Sequence, residues 1–427
     1  MSDAEGSSWD VLVGGAGIAA AAACIKLCAL GFRPLVLSAS QQLMPGIEAI
    51  PAVAVPLFAE LHLKLALEES RSEEVEGFEN HWHAVEQVVR EGRWIHVERT
   101  RLATAAMQEA VRRGATAKTC RSLPKLIHEP GAVSILHDGR HLRFEAAIDA
   151  TGRSAVWSRP VQCHRRQVAD LYSFPAGDSP RSRVVRLQDS WAYRIGLREG
   201  TTVAIMTGDG KHRTKPDAHS RRLLGLKSST YKYLGRRPAF PQWSENPIHG
   251  RCLAIGDAAL AYDPIAGQGI RFALASALAA ATVINTARNS PGERPAALRF
   301  YSDFLAQARQ RHLRALDTLT RSEAHSAAHV TLPPIVVFTG NTVCAELRIG
   351  SRIVTDEAVE LSDGARVRWV GGVDLLKLRD LAKTPVLTSA LAQTLAKDIR
   401  PHQAGILLAW CVRNGIITSR AKALSDG

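Results

Sequence analysis

The chain has 427 residues, of which 46% are hydrophobic and 22% are charged, so it is long and apolar enough for two or three domains with buried cores, and a disordered chain is excluded. Its seven cysteines form no Cys-x-x-Cys pair, which predicts a reducing, cytoplasmic location and no metal site. The start lacks the basic region of a signal peptide, and no stretch of about 18 residues is expected to be apolar enough to span a membrane.

The first predicted elements form a strand, a glycine turn, a helix and a second strand. Val11 to Val13 is an apolar strand, and Gly15, Gly17 and Ala20 then give the pattern G-x-G-x-x-A. Small residues at this turn let the backbone approach a pyrophosphate, which binds the free amides at the start of the helix. The segment therefore predicts a dinucleotide site.

One position departs from this pattern. Ser38 stands at the end of the second strand, where such a unit usually carries an acid for the ribose hydroxyls. A hydroxyl accepts fewer hydrogen bonds, so the ribose contact is expected to be weaker or to come from elsewhere.

Three later segments have the same kind of chemistry. Arg99 begins an amphipathic helix that ends near Gly114, and a buried strand leads into Asp149-Ala-Thr-Gly152. Residues 253–281 then combine a Gly-Asp pair, a Pro, a Gly-Gln-Gly turn and an Ala-rich helix. This order predicts a ligand with a polyol and a ring.

Together these segments resemble the group A flavoprotein monooxygenase superfamily, which also contains flavin-dependent halogenases and geranylgeranyl reductases and uses FAD. The resemblance implies an α/β fold with a Rossmann-type, glutathione-reductase-like FAD-binding domain (8–155 and 250–320). It also implies an inserted β-rich substrate domain (156–249, with part of 60–100). Residues 321–427 continue beyond the usual end of such flavin domains and weakly resemble a small α/β or winged-helix-like interaction module.

The resemblance also implies a set of FAD-binding residues. These are Gly15, Gly17, Ala20, Ser38, Glu48, Arg99, Asp257, Pro264, Gly267, Gln268 and Gly269. In this interpretation Asp257 accepts hydrogen bonds from ribityl or phosphate-proximal hydroxyls, and Pro264 stiffens the loop beside the ring. Amides of Gly267 to Gly269, at a helix start, would favour negative charge on the reduced flavin.

Two further segments resemble the halogenase branch of the superfamily. Glu48 and Pro51 match its G-E-x-x-P segment, whereas its Trp-x-Trp-x-Ile-Pro signature is only half present at residues 191–196. No lysine lies between Lys64 and Lys118 to serve the hypohalous acid that halogenation needs. The resemblance therefore favours oxygenation with O2 through a flavin C4a-(hydro)peroxide.

Candidate catalytic residues lie in the predicted substrate domain and beside it. Trp191 and Tyr193 are expected to contact an aromatic substrate, and Glu48 is a candidate for catalysis as well as for cofactor binding. His81 or His83 is a candidate general base. The alternative is that both histidines are surface residues beside a strand.

Residues 211–237 contain nine Lys or Arg and a single acid, Asp217, within a chain of net charge +13. This segment is either a solvated face or a docking surface for a macromolecule. Nucleic acid is not expected, because no recognisable binding module accompanies the basic residues.

The chain length, the basic segment and the added C-terminal module resemble the flavoproteins that mature protein-derived tryptophylquinone cofactors. That resemblance implies hydroxylation of a tryptophan within a protein precursor, which would dock through residues 211–237, the C-terminal module or both. Alternatives are a small-molecule aromatic hydroxylase, a geranylgeranyl-type reductase and a non-catalytic FAD-binding protein. Electrons would come from NAD(P)H or from a separate flavin reductase.

Overall fold

The computed structural model describes residues 9–39, 46–70, 73–82, 88–164, 166–175, 181–188, 190–197, 202–320 and 331–419. The chain divides into two compact units. Unit 1 comprises Met1–Asn285 and Ala308–Leu313, and unit 2 comprises Thr286–Gln307 and Arg314–Gly427. Unit 2 thus contains the segment expected as a C-terminal module together with earlier residues from two long helices.

The described strands of unit 1 supply several sheets. In chain order they are β1 (Val11–Gly14), β2 (Pro34–Ala39), β3 (Ile47–Pro51), β4 (Glu73–His81), β5 (Val88–Glu98), β6 (Thr116–Cys120), β7 (Ile127–Glu129), β8 (Ala132–His137), β9 (Arg140–Phe144), β10 (Ala146–Asp149), β11 (Val161–Cys163), β12 (Val168–Phe174), β13 (Ser182–Arg186), β14 (Trp191–Gly196), β15 (Thr202–Gly208), β16 (Lys232–Pro238), β17 (Gln242–Ser244), β18 (Ile248–His249), β19 (Cys252–Ala254) and β20 (Leu260–Ala261).

The described helices that begin in unit 1 are α1 (Ile18–Ala29), α2 (Val55–Glu60), α3 (Lys64–Glu69), α4 (Arg99–Arg112), α5 (Ala218–Leu224) and α6 (Gly269–Asn289). Helix α7 (Arg294–Thr320) follows and also contributes residues to both units.

The first sheet is the predicted dinucleotide-binding layer. Its strand order is β18-β19-β10-β1-β2-β6, and β1 pairs in parallel with both β2 and β10. Both faces of β1 are buried, as expected for a strand in a parallel sheet with covered faces. The predicted α/β class with a Rossmann-type region is confirmed.

The second large sheet has eight strands in the order β16-β12-β15-β14-β13-β4-β5-β3. Its strands come from residues before and after the Rossmann strand β10, so chain segments 47–98 and 168–238 build one layer. Most neighbours are antiparallel, while β13 and β4 are parallel. Side chains along β12, β13, β14 and β15 alternate between two hydrophobic clusters.

Helix α6 corrects one expectation from the sequence. Among the described helices it is long and apolar enough, by length and composition, to cross a membrane. Most of it is nevertheless buried inside the protein, which is typical of a core helix. Its Ala-rich sequence accounts for both properties, because small apolar side chains allow close packing on all sides.

Unit 2 is a mixed α/β unit with its own hydrophobic core. Its described strands are β21 (Ile335–Phe338), β22 (Asn341–Ile349), β23 (Arg352–Glu360), β24 (Arg366–Val367), β25 (Trp369–Val370), β26 (Val373–Asp374), β27 (Val386–Leu387) and β28 (Ile417–Ser419). Its described helices after α7 are α8 (Leu375–Leu381), α9 (Thr388–Leu395) and α10 (Pro401–Arg413). Leu378, Leu395 and Leu408, one from each helix, are fully buried in this core.

Candidate functional site

The glycine turn between β1 and α1 has a conformation that only glycine tolerates. Gly15 has φ of +111°, and a Cβ added there would lie 2.3 Å from the carbonyl oxygen of Ala150. A side chain at this position would therefore be strained and would also collide with the neighbouring parallel strand.

The next glycine has open space instead of a close neighbour. A Cβ on Gly17 would meet no atom within 4 Å, and Gly17 precedes α1 without a side-chain cap. The first turn of α1 contains no acidic residue, while Ala20 is fully buried beneath it. The helix start therefore presents uncapped amides and positive potential to an open surface, which suits a phosphate.

Glu48 and Arg99 lie together at the edge of the eight-stranded sheet. The Arg99 Nε atom is 3.5 Å from Glu48 Oε1, and the Arg99 backbone N–H donates to the Gly46 carbonyl over 2.9 Å. Arg99 is the first residue of α4, so this pair joins the helix start to β3. Ser38 is partly exposed near the end of β2.

Arg153, which follows the Asp149-Ala-Thr-Gly152 segment, is a site residue that the sequence interpretation missed. Its Nη1 and Nη2 atoms donate to the carbonyls of Phe240 and Tyr262, at 2.7 and 2.9 Å. Its Nε atom lies 3.9 Å from Asp257 Oδ2, which places the predicted ribityl-binding carboxylate beside it. Burial lowers the pKa of Arg153, and Asp257 partly offsets this effect.

Arg237 was also missed, because its position within residues 211–237 was interpreted as part of a basic surface. Its guanidinium is buried, and its Nε atom has no hydrogen-bond partner. Burial lowers its pKa, and the charges acting on it are Glu48, Arg99, Arg153 and Asp257. A buried donor without a partner inside this charged cluster indicates a position for an anionic or polar ligand.

The loop before α6 is held by a buried histidine. The Asp263 backbone N–H donates to Nε2 of His312 over 3.0 Å, and the Asp263 carboxylate accepts from the Ile265 N–H at 3.0 Å. Burial raises the pKa of Asp263 to about 6 and lowers the pKa of His312 to about 4. A neutral His312 is required, since its Nε2 is an acceptor here.

The predicted Gly-Gln-Gly residues continue this loop after Pro264, which begins a short 3-10 turn (Pro264–Ala266). Gly267 has φ of +59°, and a Cβ on Gly269 would meet no atom within 4 Å. The Gln268 Oε1 atom accepts from Arg271 Nη1 at 3.2 Å. The start of α6 is therefore as open as the start of α1.

The face of the eight-stranded sheet that carries Trp191 and Tyr193, called the inner face below, also contacts this loop. Ile265 packs against the hydrophobic cluster to which both aromatic residues belong. Trp191 is only 5% exposed, whereas Tyr193 is partly buried, so Tyr193 has more surface available for a ligand.

A row of aromatic rings links Tyr193 to the Gly-Gln-Gly loop. The Tyr193 and Phe78 ring centroids are 6.1 Å apart, and those of Phe78 and Trp94 are 5.6 Å apart. A Cβ placed on Gly267 would lie 3.8 Å from the Trp94 ring. These contacts form an apolar, aromatic lining between the inner face and the loop.

A chain of buried hydrogen bonds begins at Tyr193. The Tyr193 hydroxyl donates to Ser182 Oγ at 3.1 Å, and Ser182 Oγ is 3.0 Å from His96 Nε2. His96 Nδ1 lies 2.8 Å from the Gly196 carbonyl oxygen. His96 is fully buried, and its sequence position, among β-strand residues, gave no sign of this role.

Of the two histidines predicted as general bases, His81 is not part of this lining. His81 pairs with Val185, whose side chain belongs to the cluster on the opposite sheet face. Burial lowers the pKa of His81, and nearby Arg183 lowers it further. His83 lies outside the described residues, so its role, like that of His81, stays a prediction.

In the described part of the chain, no group of three or more His, Cys, Asp or Glu side chains could hold a metal ion.

Comparison with known proteins finds no matching family model and no matching curated sequence. Similar solved structures do exist. QhpG, a peptidyl tryptophan dihydroxylase essential for tryptophylquinone cofactor biogenesis, has a TM-score of 0.68 and 20% identity, covering 95% of this chain and 99% of its own. CmlS, a flavin-dependent halogenase, has a TM-score of 0.70 and 14% identity, covering 97% and 96%.

The chain has the fold of flavin-dependent hydroxylases and halogenases. A variant of the halogenase PltM, solved in complex with FAD, has this flavoprotein fold as well, with a TM-score of 0.56 and 14% identity over 66% of this chain and 70% of its own. The predicted resemblance to this superfamily is therefore confirmed at the level of the fold.

The residues present fit FAD. The open helix start at Gly17 suits the pyrophosphate, Arg153 and Asp257 suit the polyol, and the open start of α6 at Gly269 suits the ring system. The unpartnered Nε of Arg237 supports this fit independently of the sequence motifs, because it is a buried donor that a bound cofactor would satisfy.

Proposed function

We propose that this protein is an FAD-dependent monooxygenase that hydroxylates the indole ring of a tryptophan within a protein substrate. The observation that carries the proposal is the correspondence with the peptidyl tryptophan dihydroxylase, which extends over 95% of this chain and 99% of that one. The correspondence therefore includes unit 2, and the aromatic inner face supplies a surface suited to a flat, electron-rich ring.

The segment between Lys64 and Lys118 supports oxygenation over halogenation. Strands β4 and β5 and helix α4 all lie between Lys64 and Lys118, a segment without any lysine. The resemblance to halogenases would require a lysine in this region to direct a hypohalous acid. The correspondence with CmlS makes halogenation the second candidate, and the experiment below separates the two.

Each group of residues has a separate task in this proposal. FAD, when bound, would supply the reduction of O2 that makes an oxygen atom available for transfer. The amides at the starts of α1 and α6 would hold its negative groups, and Arg153 would fix the loop beside Asp257. The Phe78, Trp94 and Tyr193 rings would orient the substrate ring and exclude water.

The protein substrate would dock through the basic segment. Seven of its basic residues are exposed, namely Lys211, Arg213, Lys215, Arg222, Lys227, Lys232 and Arg236. Arg213 lies over the ring of Tyr233, with its guanidinium carbon 3.9 Å from the ring centroid. A surface of this charge would attract a substrate whose tryptophan is flanked by acidic residues.

The test of the reaction uses FAD-loaded protein, reduced without oxygen by dithionite and then mixed with oxygenated buffer containing bromide and a tryptophan-containing peptide. Intact mass should show one or two added oxygen atoms, which derive from labelled O2 and are located on the tryptophan. A matched peptide with phenylalanine in place of tryptophan should remain unchanged.

Other products would contradict the proposal. A bromine isotope pattern on the peptide would establish the halogenase instead. Hydrogen peroxide with no modified peptide, combined with oxygenation of free indole or phenols, would establish a small-molecule hydroxylase.

The docking surface has its own test. Peptides with glutamate beside the tryptophan should react with higher kcat/KM than peptides with lysine there, and the difference should shrink as salt is added. Changing Lys211→Glu together with Lys215→Glu should reverse the preference, whereas Lys125→Glu, an exposed residue elsewhere, should leave it intact. Equal rates for both peptides would exclude docking through this segment.

A further inference from the structure

We propose that Tyr193 accepts the indole N–H of the substrate and that Ser182 and His96 relay the substrate proton away from it. This inference rests on the proposed function, because it names the group that receives a proton from the tryptophan ring. It is carried by the direction of three hydrogen bonds that begin at Tyr193.

The direction follows from the last member of the chain. The carbonyl oxygen of Gly196 can only accept, so His96 Nδ1, 2.8 Å away, carries a proton. The other nitrogen of a neutral imidazole is then an acceptor, and the Ser182 hydroxyl, at 3.0 Å, donates to it. The Ser182 oxygen is left to accept the Tyr193 hydroxyl at 3.1 Å.

This order leaves the Tyr193 oxygen as an acceptor. The Tyr193 hydroxyl donates its only proton to Ser182, so a ligand can bind this oxygen only through its lone pairs. Tyr193 belongs to the cluster that Ile265 of the Gly-Gln-Gly loop contacts, and its ring follows Phe78 in the aromatic row. An indole ring stacked in this row can direct its N–H to that oxygen.

The relay balances without any redox step. Transfer of a hydroxyl group without its bonding electron pair (formally OH⁺, which FAD and O2 would supply) to an indole carbon leaves the ring cationic. The ring becomes neutral when its N–H bond breaks and the proton passes to Tyr193 Oη. The Tyr193 proton moves to Ser182 Oγ and the Ser182 proton to His96 Nε2. His96 becomes an imidazolium that keeps its bond to Gly196, and the proton returns along the same bonds after product release.

The surroundings of His96 keep it neutral before the reaction. Burial lowers its pKa, Gly196 and the carboxylate of Glu73 act in the opposite direction, and the guanidinium of Arg194 lowers it again. Ser182 lies between His96 and Tyr193. Burial raises the pKa of the Tyr193 hydroxyl, the hydrogen bond to Ser182 lowers it, and the nearby carboxylate of Glu48 raises it. A neutral histidine that is fully buried has no direct exchange of protons with solvent, so the chain of hydroxyls is its route.

The experiment reads the relay without turnover. Oxidised, FAD-loaded protein labelled with ¹⁵N-histidine is titrated with indole or with 1-methylindole, which lacks the N–H. The His96 signals are identified by their loss in His96→Gln. Without ligand they should show the tautomer with the proton on Nδ1, and indole should shift the Nε2 signal whereas 1-methylindole should not.

Three variants test the order of the bonds. Tyr193→Phe should abolish the indole-induced shift and weaken indole binding by about 2- to 10-fold, as expected for one lost hydrogen bond, without changing the affinity for 1-methylindole. Ser182→Ala should keep indole binding but uncouple it from His96. Tyr172→Phe is the matched control, since this buried tyrosine lies on the opposite sheet face and its hydroxyl has no hydrogen-bond partner.

The inference is overturned if His96 carries its proton on Nε2, if indole and 1-methylindole act alike, or if Tyr193→Phe retains the indole-induced shift. Because none of these signals requires oxygenation, a failure of the proposed function would appear separately, as an unmodified tryptophan peptide. With an active peptide, His96→Gln should further slow single-turnover hydroxylation by about 100-fold at an unchanged unfolding temperature.

Discussion

Arg236 and Arg237 are neighbours in β16, yet their guanidinium groups lie on opposite faces of the sheet. Arg236 donates through Nη2 to the buried Asp170 carboxylate at 2.9 Å, and also through Nε at 2.9 Å. Arg237 instead lies among Glu48, Arg99, Arg153 and Asp257. The alternation of side chains along a strand thus assigns one arginine to folding and the next to the candidate cofactor site.

Replacing each arginine by methionine should therefore have opposite effects. Arg237→Met should leave the flavin-free protein equally stable or more stable, because it removes a buried cation, but should weaken FAD binding by about 10-fold or more. Arg236→Met should lower the unfolding temperature, because it removes the cationic partner of the fully buried Asp170 carboxylate. Thermal unfolding and fluorimetric FAD titration measure the two effects. Equal FAD affinity in Arg237→Met and wild type would exclude the cofactor role.

Substitutions of the two turn glycines, Gly15 and Gly17, should affect protein stability and FAD binding separately. Gly15→Ala should destabilise the protein by more than about 1 kcal/mol, because its Cβ would meet the Ala150 carbonyl and its φ is positive. Gly17→Asp should preserve the fold, because the space is open, but should repel the pyrophosphate and abolish FAD retention. Gly292→Ala, where a Cβ also meets nothing within 4 Å, is the control for substitution itself. Retention of FAD by Gly17→Asp would place the pyrophosphate elsewhere.

His312 should make stability depend on pH between about 4 and 6.5. In this window the unfolded chain binds a proton that the folded His312, with a pKa lowered to about 4 by burial and by Arg153, does not bind. Its contribution to stability is therefore present above pH 6.5 and is lost as the pH falls, by up to about 3 kcal/mol.

Asp263 acts in the opposite direction over nearly the same window, because burial raises its pKa to about 6. Comparison with His312→Gln, which keeps an acceptor for the Asp263 N–H, isolates the histidine. As the pH falls from 7 to 4, the denaturation midpoint of this variant should rise relative to that of the wild type. A constant difference between the two proteins across this range would contradict the assigned pKa shift.

Asp149 should be highly sensitive to amide substitution. Its carboxylate accepts four hydrogen bonds, from Thr151 N–H and Oγ1, from Trp157 N–H and from Ser158 Oγ. Asp149→Asn would place an NH2 group against donors, which should destabilise the protein by about 2–4 kcal/mol. Urea denaturation measures this, and Asp138→Asn, an exposed site, should have little effect.

Local sequence patterns were sufficient for the parts of the site that depend on backbone conformation. Gly15, Gly17 and Ala20 were predicted because a phosphate turn requires small residues at fixed spacing, and the structure gives each a distinct steric environment. Pro264 to Gly269 follow the same logic at the start of α6. The α/β class with a Rossmann-type sheet followed from the same unit.

Other features depend on contacts between distant segments, and the tertiary structure alone decided them. The hydrogen-bond chain joins residues from three strands, namely Tyr193, Ser182 and His96. The sequence interpretation proposed His81 among its candidate bases, but the strand register turns the His81 side chain to the opposite face. Arg237 was assigned to a basic surface because the sequence shows its charge but does not show on which face of the sheet its side chain lies. Sequence thus determined which short segments can hold a phosphate, since that depends on local φ and steric space, whereas register and burial determined which polar side chains meet.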